Sequence, residues 1–166
     1  MNLAAQTNTA PLTVVQISDC HLGAELGDSL LGMDTDNSLE AVLATIADEC
    51  PHIDLLVVSG DLAAHGDAES YRRLYARLDG VAAQMVWLPG NHDDADLMCS
   101  IVGDQVMPAT LDVGSWRLGF MNSAVCGEVG GSLAADQLAV LAGIAESERP
   151  SLVFLHHHLR ALGCAW

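Results

Sequence analysis

The sequence predicts an α/β fold built on parallel strands. Three apolar runs rich in β-branched residues, at residues 12–17, 53–59 and 84–88, alternate with amphipathic segments at residues 38–49 and 67–78. This alternation is the pattern of βαβ units, in which consecutive strands lie parallel. Each apolar run leads directly into polar residues, and open parallel sheets bind ligands beyond the carboxyl ends of their strands. The sequence therefore predicts a parallel sheet with a site along one edge.

The connections and helix ends of the first half follow from local composition. Residues 23–37 are rich in glycine and aspartate, which predicts an irregular connection near the surface. Apolar residues at helical spacing predict a helix over residues 38–49, with Asn37 or Ser38 available as its N-cap. The second amphipathic segment is expected to end at Gly80, in a left-handed conformation.

After residue 110 the pattern changes. Residues 111–113 and 116–121 flank a Gly-Ser turn as the strands of a hairpin do, which predicts a second, more antiparallel sheet. Residues 133–145 predict a further helix. The apolar run at residues 151–155 predicts a last buried strand, and three consecutive histidines follow it.

Polar side chains that bind transition metals follow four of the predicted strands. They are Asp19, His21, Asp61, Asn91, His92 and His156. A single Asp or His at a strand end is more often a turn residue. Four strand ends of this kind at one sheet edge have no packing explanation, and carboxylate, amide and imidazole groups suit manganese, iron, zinc or cobalt. The pattern predicts a metal site.

The spacing suits a site with two ions. A pair of neighbouring cations needs a shared carboxylate, and Asp61 follows the middle one of the first three strands. Asp19 and His21 are two residues apart, so in an extended segment their side chains point the same way and can bind one ion together.

The order of these motifs resembles that of the calcineurin-like metallophosphoesterases. D-x-H at residues 19–21, G-D at 60–61 and G-N-H-D at 90–93 precede a histidine that follows an apolar strand. Residues 30–46 and 156–166 are similar to the corresponding parts of class III bacterial cyclic AMP phosphodiesterases. The resemblance implies an αββα sandwich of two mixed sheets flanked by helices.

The resemblance also implies two divalent metal ions, with manganese or iron expected and zinc or cobalt as alternatives. Asp19 and His21 would bind the first ion, Asp61 would bridge both, and Asn91 and His156 would bind the second. Because three histidines are adjacent, which one is the ligand stays open among His156, His157 and His158.

Two residues of the G-N-H-D motif are assigned to catalysis by the same resemblance. His92 would be the general acid at the leaving-group oxygen, with Asp93 as its orienting partner.

The activity implied is a metal-dependent phosphodiesterase acting on 3′,5′-cyclic nucleotides, such as cyclic AMP, or a similar small phosphodiester. Two cations about 3.5–4 Å apart would bind the anionic phosphate and generate hydroxide at neutral pH. One alternative is another metallophosphoesterase, such as a phosphomonoesterase, a nucleotide-lipid hydrolase or a DNA-repair nuclease. The other is a weakly active or inactive metal-binding remnant.

The chain departs from the family pattern at its end. The final G-H-x-H motif is absent, and Leu159 stands where relatives usually have proline. The expectation is one metallophosphoesterase domain over residues 1–166, without its C-terminal part and with an incomplete second sheet. An exposed sheet edge would favour homo-oligomers, and each ion would lack a ligand.

The amino-acid composition disfavours some classes of binding partner and some cellular locations. Six Lys plus Arg against 22 Asp plus Glu give a formal net charge of −16, which disfavours nucleic acid and anionic membranes. The five cysteines form no C-x-x-C pair, which favours a reducing cytoplasm. Residues 1–12 contain no basic residue and no long apolar run, so neither a signal peptide nor a membrane anchor is expected.

Overall fold

A computed structural model describes residues 11–160 and residue 163 of the chain. The first ten residues, predicted to hold neither a signal peptide nor an anchor, lie outside this part. In chain order the elements are β1 (Val14–Ile17), β2 (Ser29–Leu30), β3 (Met33–Asp34), α1 (Thr35–Glu49), β4 (Leu55–Ser59), α2 (Ala68–Leu78), β5 (Gln84–Leu88), α3 (Ala95–Val102), β6 (Thr110–Val113), β7 (Trp116–Met121), α4 (Ala135–Ala145) and β8 (Ser151–Leu155).

The first sheet has the order β1-β4-β5, and both of its strand pairs are parallel. Val57 at the centre of β4 pairs with Gln16 on one side and with Val86 on the other. The prediction of three parallel strands with Asp61 after the middle one is confirmed. The carboxyl ends of these strands therefore meet at one edge.

The second sheet has the order β6-β7-β8. Strands β6 and β7 are antiparallel and β7 and β8 are parallel, so this sheet is mixed. Gly114, at φ 57°, forms the predicted hairpin turn. The prediction that both sheets are mixed holds for the second sheet only. The described strands of the first sheet are all parallel, because a crossover helix joins each to the next.

Side chains of the two sheets pack against each other and form one core. They are Leu55, Val57, Val86, Leu88, Val113, Leu118, Phe120 and Phe154. The rings of Phe120 and Phe154 are stacked with their centroids 5.4 Å apart. The opposite face of the first sheet, with Leu56 and Val58, packs against the first three helices.

Helix α4 covers the outer face of the second sheet, where a Cβ on Gly119 would lie 2.4 Å from Ile144 Cδ1. Since β4 supplies apolar residues to both cores, it is buried along its whole length. The layers are helices, sheet, sheet and helix, so the predicted αββα sandwich is confirmed.

The segment before the first helix differs from the prediction. Residues 23–37 contain the short β2–β3 pair, and α1 begins at Thr35. The N-cap is Asp34, not Asn37 or Ser38: its extended backbone directs Oδ1 to accept the Asn37 N–H at 2.9 Å. A carboxylate three residues before a free amide satisfies that donor well, so the helix starts earlier.

Helix α3 was not predicted. It follows the G-N-H-D motif with no spacer, and Asp94 caps it by accepting the Leu97 N–H at 2.9 Å. Its apolar face, formed by Leu97, Met98, Ile101 and Val102, repeats only once in eight residues, which is too short a run to establish a helical period from the sequence. Helix α2 ends at Leu78 with Asp79 as its C-cap, and Gly80 follows with φ 79°, the left-handed conformation predicted for it.

In the part of the chain that the structure describes, we find no helix with the length and apolar character needed to cross a bilayer.

Candidate metal centre

The loops after β1 and β4 run side by side. The Asp19 N–H donates to the Gly60 carbonyl and the His21 N–H to the Asp61 carbonyl, both at 2.9 Å. These bonds continue the parallel pairing beyond the strands. They place the D-x-H and G-D motifs next to each other, as expected for residues at one sheet edge.

Three of the predicted ligands have left-handed backbone conformations. The φ angles are 57° at Asp19, 44° at His21 and 53° at Asp61. Among the described non-glycine residues, the only other positive φ is at Leu31. Such a conformation costs on the order of 1–3 kcal/mol per residue and is concentrated at functional sites. The strain therefore coincides with the side chains chosen from the sequence.

Donor atoms from two sheets converge on Asp61. Its Oδ2 lies 3.6 Å from His21 Nε2 and 3.4 Å from His156 Nε2. His21 Nε2 is also 3.9 Å from Asp19 Oδ1. Asp61 itself is only 5% exposed. A buried carboxylate surrounded by imidazoles is an arrangement that metal sites share.

Two groups of three side chains have donor atoms within 4.8 Å of one another. One contains His21, Asp61 and His92, and the other contains Asp19, Asp61 and His156. Asp61 is common to both groups, which suits a bridging carboxylate. Asp19 and His21 fall in different groups although their donor atoms are 3.9 Å apart, so the expected binding of one ion by these two side chains stays a prediction.

Two glycines permit this close approach. A Cβ on Gly90 would lie 2.2 Å from Asp61 Oδ1, and a Cβ on Gly60 would lie 2.4 Å from His156 Nδ1. Gly60 also has φ 91°. The glycines of G-D and G-N-H-D are therefore required by space as well as by conformation.

The G-N-H-D loop reaches Asp61 through its backbone. The His92 N–H donates to Asp61 Oδ1 at 3.0 Å. The His92 ring is 4.9 Å from the ring of His21, and its Nδ1 lies 2.9 Å from the Ala64 carbonyl oxygen. Because a carbonyl only accepts, Nδ1 carries the proton and donates. Asn91 is half-buried beside them, and its role as a ligand stays a prediction.

Asp93 has different partners from those expected. Its carboxylate accepts hydrogen bonds from the backbone of Leu62, Ala63 and Gly90, and from the Tyr71 hydroxyl. The hydrogen bond found for the His92 ring goes to Ala64, so in the described residues Asp93 orients the loops and not that ring. Three backbone donors within reach are the physical reason.

The three histidines separate after β8. His156 faces Asp61, and its Nδ1 lies 3.1 Å from the Ser59 carbonyl oxygen. His157 instead places Nδ1 2.8 Å from Ser123 Oγ, and His158 is exposed. This arrangement favours His156 among the three as a ligand, and that assignment stays a prediction.

Asp61 and His156 stabilise each other's charged forms. Burial raises the pKa of Asp61, but the hydrogen bonds from His156 and from the His92 backbone outweigh it and hold that pKa below its ordinary value. The hydrogen bond with Asp61 raises the pKa of His156 to about 9, against burial that lowers it. Without metal the two form an ion pair at neutral pH.

The donor set fits a divalent cation. His21 has a buried Nδ1 that finds no hydrogen-bond partner in the described part of the chain, while its Nε2 faces the carboxylates. A cation at Asp61 would take the place of the proton that His156 now shares with it. Carboxylate and imidazole groups can bind manganese, iron, zinc or cobalt.

Residues 12–159 match the sequence model of the calcineurin-like phosphoesterases. The chain belongs to the calcineurin-like phosphoesterase family. Its similarity to curated members extends over nearly its whole length. It is 41% identical over 160 residues to the 3′,5′-cyclic adenosine monophosphate phosphodiesterase CpdA of Pseudomonas aeruginosa, covering 95% of this chain and 59% of that relative.

Two further curated relatives show a similar extent of match. The CpdA enzyme of Escherichia coli K12 is 36% identical over 162 residues, covering 95% of this chain and 59% of the relative. The 3′,5′-cyclic-nucleotide phosphodiesterase alr5338 of Nostoc is 33% identical over 169 residues, covering 94% and 60%. The chain thus spans about three-fifths of the length of these relatives.

Sequence reasoning missed the contact between Tyr71 and the G-N-H-D loop. The residue falls on the apolar stripe of its helix and is fully buried, so its spacing marks it only as core. Nothing in the local sequence indicates that its hydroxyl reaches Asp93.

Proposed function

We propose that this chain contributes the metal centre of a phosphodiesterase that hydrolyses 3′,5′-cyclic nucleotides, cyclic AMP foremost. The observation that carries the proposal is the position of Asp61, which belongs to both groups of converging donors. One carboxylate shared by two donor groups is what a pair of neighbouring ions requires.

The residues that would hold two divalent ions are Asp19, His21, Asp61, Asn91 and His156. When bound, these ions would neutralise the phosphate and supply hydroxide as the nucleophile at neutral pH. Manganese or iron is the expected metal. A chain with a net charge of −16 repels an anionic substrate over most of its surface, so the attraction must be local.

His92 is positioned to act as the general acid. Its Nδ1–H donates to the Ala64 carbonyl at 2.9 Å, which fixes the ring, and in the imidazolium form Nε2 would carry the second proton, the one given to the leaving oxygen. The same residue contacts Asp61 through its backbone N–H, so the acid and the metal-binding carboxylate are held at a constant separation.

The substrate class follows from the relatives. Those named above are phosphodiesterases of cyclic adenosine monophosphate or of cyclic nucleotides, and two of the three exceed 35% identity to this chain. The acidic surface disfavours long nucleic acid, since duplex binding depends on Lys and Arg contacts to phosphates. Cysteines 20, 50, 99 and 126 are all free, which supports a reducing cytoplasmic location.

The test combines metal content with hydrolysis of cyclic AMP and of a chromogenic phosphodiester. The proposal expects close to two ions per chain after loading with manganese, and activity that a chelator removes. Chelator-insensitive hydrolysis would contradict the mechanism. Metal binding with turnover of phosphomonoesters alone would assign the chain to the phosphomonoesterase alternative, and metal binding with little or no turnover of either substrate class would assign it to the metal-binding remnant. Absence of bound metal would contradict the metal centre itself.

A further inference from the structure

Tyr71, which belongs neither to the sequence motifs nor to the proposed metal ligands, lies at the centre of a hydrogen-bond network. The residue is on α2 and has no exposed surface. Its hydroxyl donates to Asp93 Oδ1 at 3.1 Å and accepts from the Asp94 N–H at 2.9 Å. A buried hydroxyl with both a donor and an acceptor partner is fully satisfied and holds one orientation.

The carboxylate that Tyr71 contacts joins two loops. Asp93 Oδ1 accepts from the Ala63 N–H at 3.1 Å, and Oδ2 accepts from the Gly90 N–H at 2.9 Å. Leu62 N–H lies 3.1 Å from both oxygens. The loop after β4, which carries Asp61, is thereby tied to the loop after β5, which carries His92.

We propose that Tyr71 is a positioning residue for the metal centre. Its hydroxyl fixes the carboxylate of Asp93, and that carboxylate holds the two loops at the separation where the His92 N–H meets Asp61 Oδ1. The inference rests on the proposed function for its consequence at the metal, while the tie between the loops is independent of it.

The close packing around Asp61 leaves the two loops little room to move relative to each other. Gly90 approaches Asp61 so closely that a Cβ would lie 2.2 Å from Oδ1, and the His92 N–H donates to the same oxygen at 3.0 Å. A small rotation of the Asp93 carboxylate shifts the Gly90 and Leu62 amides together. Groups that orient metal ligands in this way typically change metal affinity or activity 10–100-fold when they are replaced.

The experiment compares Tyr71→Phe with Tyr75→Phe in the full chain. Both tyrosines lie on α2, but Tyr75 packs edge-on against Trp87 with centroids 6.1 Å apart. No hydrogen bond of its hydroxyl is found within the described part of the chain. The two readouts are hydrogen exchange of the Leu62 and Ala63 amides without metal, and manganese affinity by calorimetry.

We expect the Leu62 and Ala63 amides to exchange several-fold faster in Tyr71→Phe than in Tyr75→Phe. We also expect Tyr71→Phe to bind manganese about tenfold more weakly than Tyr75→Phe does. Equal exchange rates in the two variants would overturn the inference, whatever the affinities. Faster amide exchange with an unchanged manganese affinity would overturn the claim that Tyr71 positions the metal centre. If the wild-type chain binds no manganese, the proposed function fails, and the exchange rates still decide whether Tyr71 ties the loops.

Discussion

Asp61 and His156 lie 3.4 Å apart, between Oδ2 and Nε2, although they follow strands of different sheets. Asp61 follows the central strand of the parallel sheet, and His156 follows the last strand of the mixed sheet. Their contact requires that the two sheets pack face to face with their carboxyl ends on the same side. The sandwich itself thus assembles the site.

Replacing Asp61 is the most direct test of the bridging role. We expect Asp61→Ala to bind less than half the manganese of the wild-type chain and to lose more than about 100-fold in hydrolysis, because both donor groups contain this residue. Elemental analysis and a phosphodiester assay measure the two effects. Asp112→Ala, at a carboxylate paired with Arg117 on the distant hairpin, is the control and should match the wild type in both. Full metal content in Asp61→Ala would contradict the assignment.

Gly90→Ala tests the space around Asp61. The added methyl would lie 2.2 Å from Oδ1 and 2.5 Å from the Asp61 amide nitrogen, so the loop must move. We expect manganese affinity to fall at least about tenfold. The matched variant Gly143→Ala lies on α4, where among the described residues no atom outside the adjacent residues and the helix backbone is within 4 Å of the new methyl, and it should raise stability by about 0.5–1 kcal/mol. Equal manganese binding in both variants would show that the approach is not needed.

The ion pair predicts a pH dependence in the metal-free chain. Asp61 raises the pKa of His156 from 6.5 to about 9. A raised pKa in the folded state adds stability that is complete below about pH 6.5 and is lost as pH rises toward 9. Urea unfolding at pH 6.5 and pH 9 should show this loss in the wild type and a smaller one in His156→Asn. A wild-type stability equal at both pH values would contradict the pairing.

The same proton competes with metal. Because His156 must release it to act as a ligand, manganese affinity should increase with pH up to about 9. Calorimetry in buffers of different ionisation enthalpy would measure the released proton. His158→Asn, at an exposed neighbour, should leave the pH profile unchanged.

Asp36 is predicted to anchor the segment before α1. Its buried carboxylate pairs with Arg73 Nε at 3.0 Å and Arg77 Nη1 at 2.8 Å, and it accepts the Gly27 N–H at 3.0 Å. Asp36→Asn would leave two guanidinium groups without a counter-charge and should cost about 2–3 kcal/mol in urea unfolding. Asp48→Asn, exposed on the same helix, should change stability by less than about 0.5 kcal/mol. Equal losses of stability in the two variants would show that Asp36 does not anchor this segment.

Most of the fold was predictable because the local patterns agreed with the tertiary context. Strand β4 is apolar from Leu55 to Val58 and is buried along its whole length, and the Gly-Ser turn joins an antiparallel pair. Helix α3 was missed because its apolar face, with Leu97, Met98, Ile101 and Val102, repeats only once in eight residues. The start of α1 was misplaced because Asp34, which caps it, also ends a strand.

The candidate metal ligands could be predicted because each follows an apolar strand, but the hydrogen-bond partners of the site could not. The sequence placed Asp93 beside His92 by adjacency, whereas the structure turns that carboxylate toward backbone amides on another loop. No pattern of spacing reports such a contact, since it depends on where two separate strands end.

From the sequence alone came the α/β layers, the strand ends that carry Asp19, His21, Asp61, Asn91, His92 and His156, and the order of motifs that belongs to calcineurin-like phosphoesterases. Only the tertiary structure decided that His156 faces Asp61 while His157 faces Ser123, and that Tyr71 and Asp93 tie the loops together. The physical reason is the distance along the chain over which each kind of interaction acts. Apolar periodicity and turn chemistry act between neighbours along the chain, but a hydrogen bond between side chains of different elements exists only after those elements have packed.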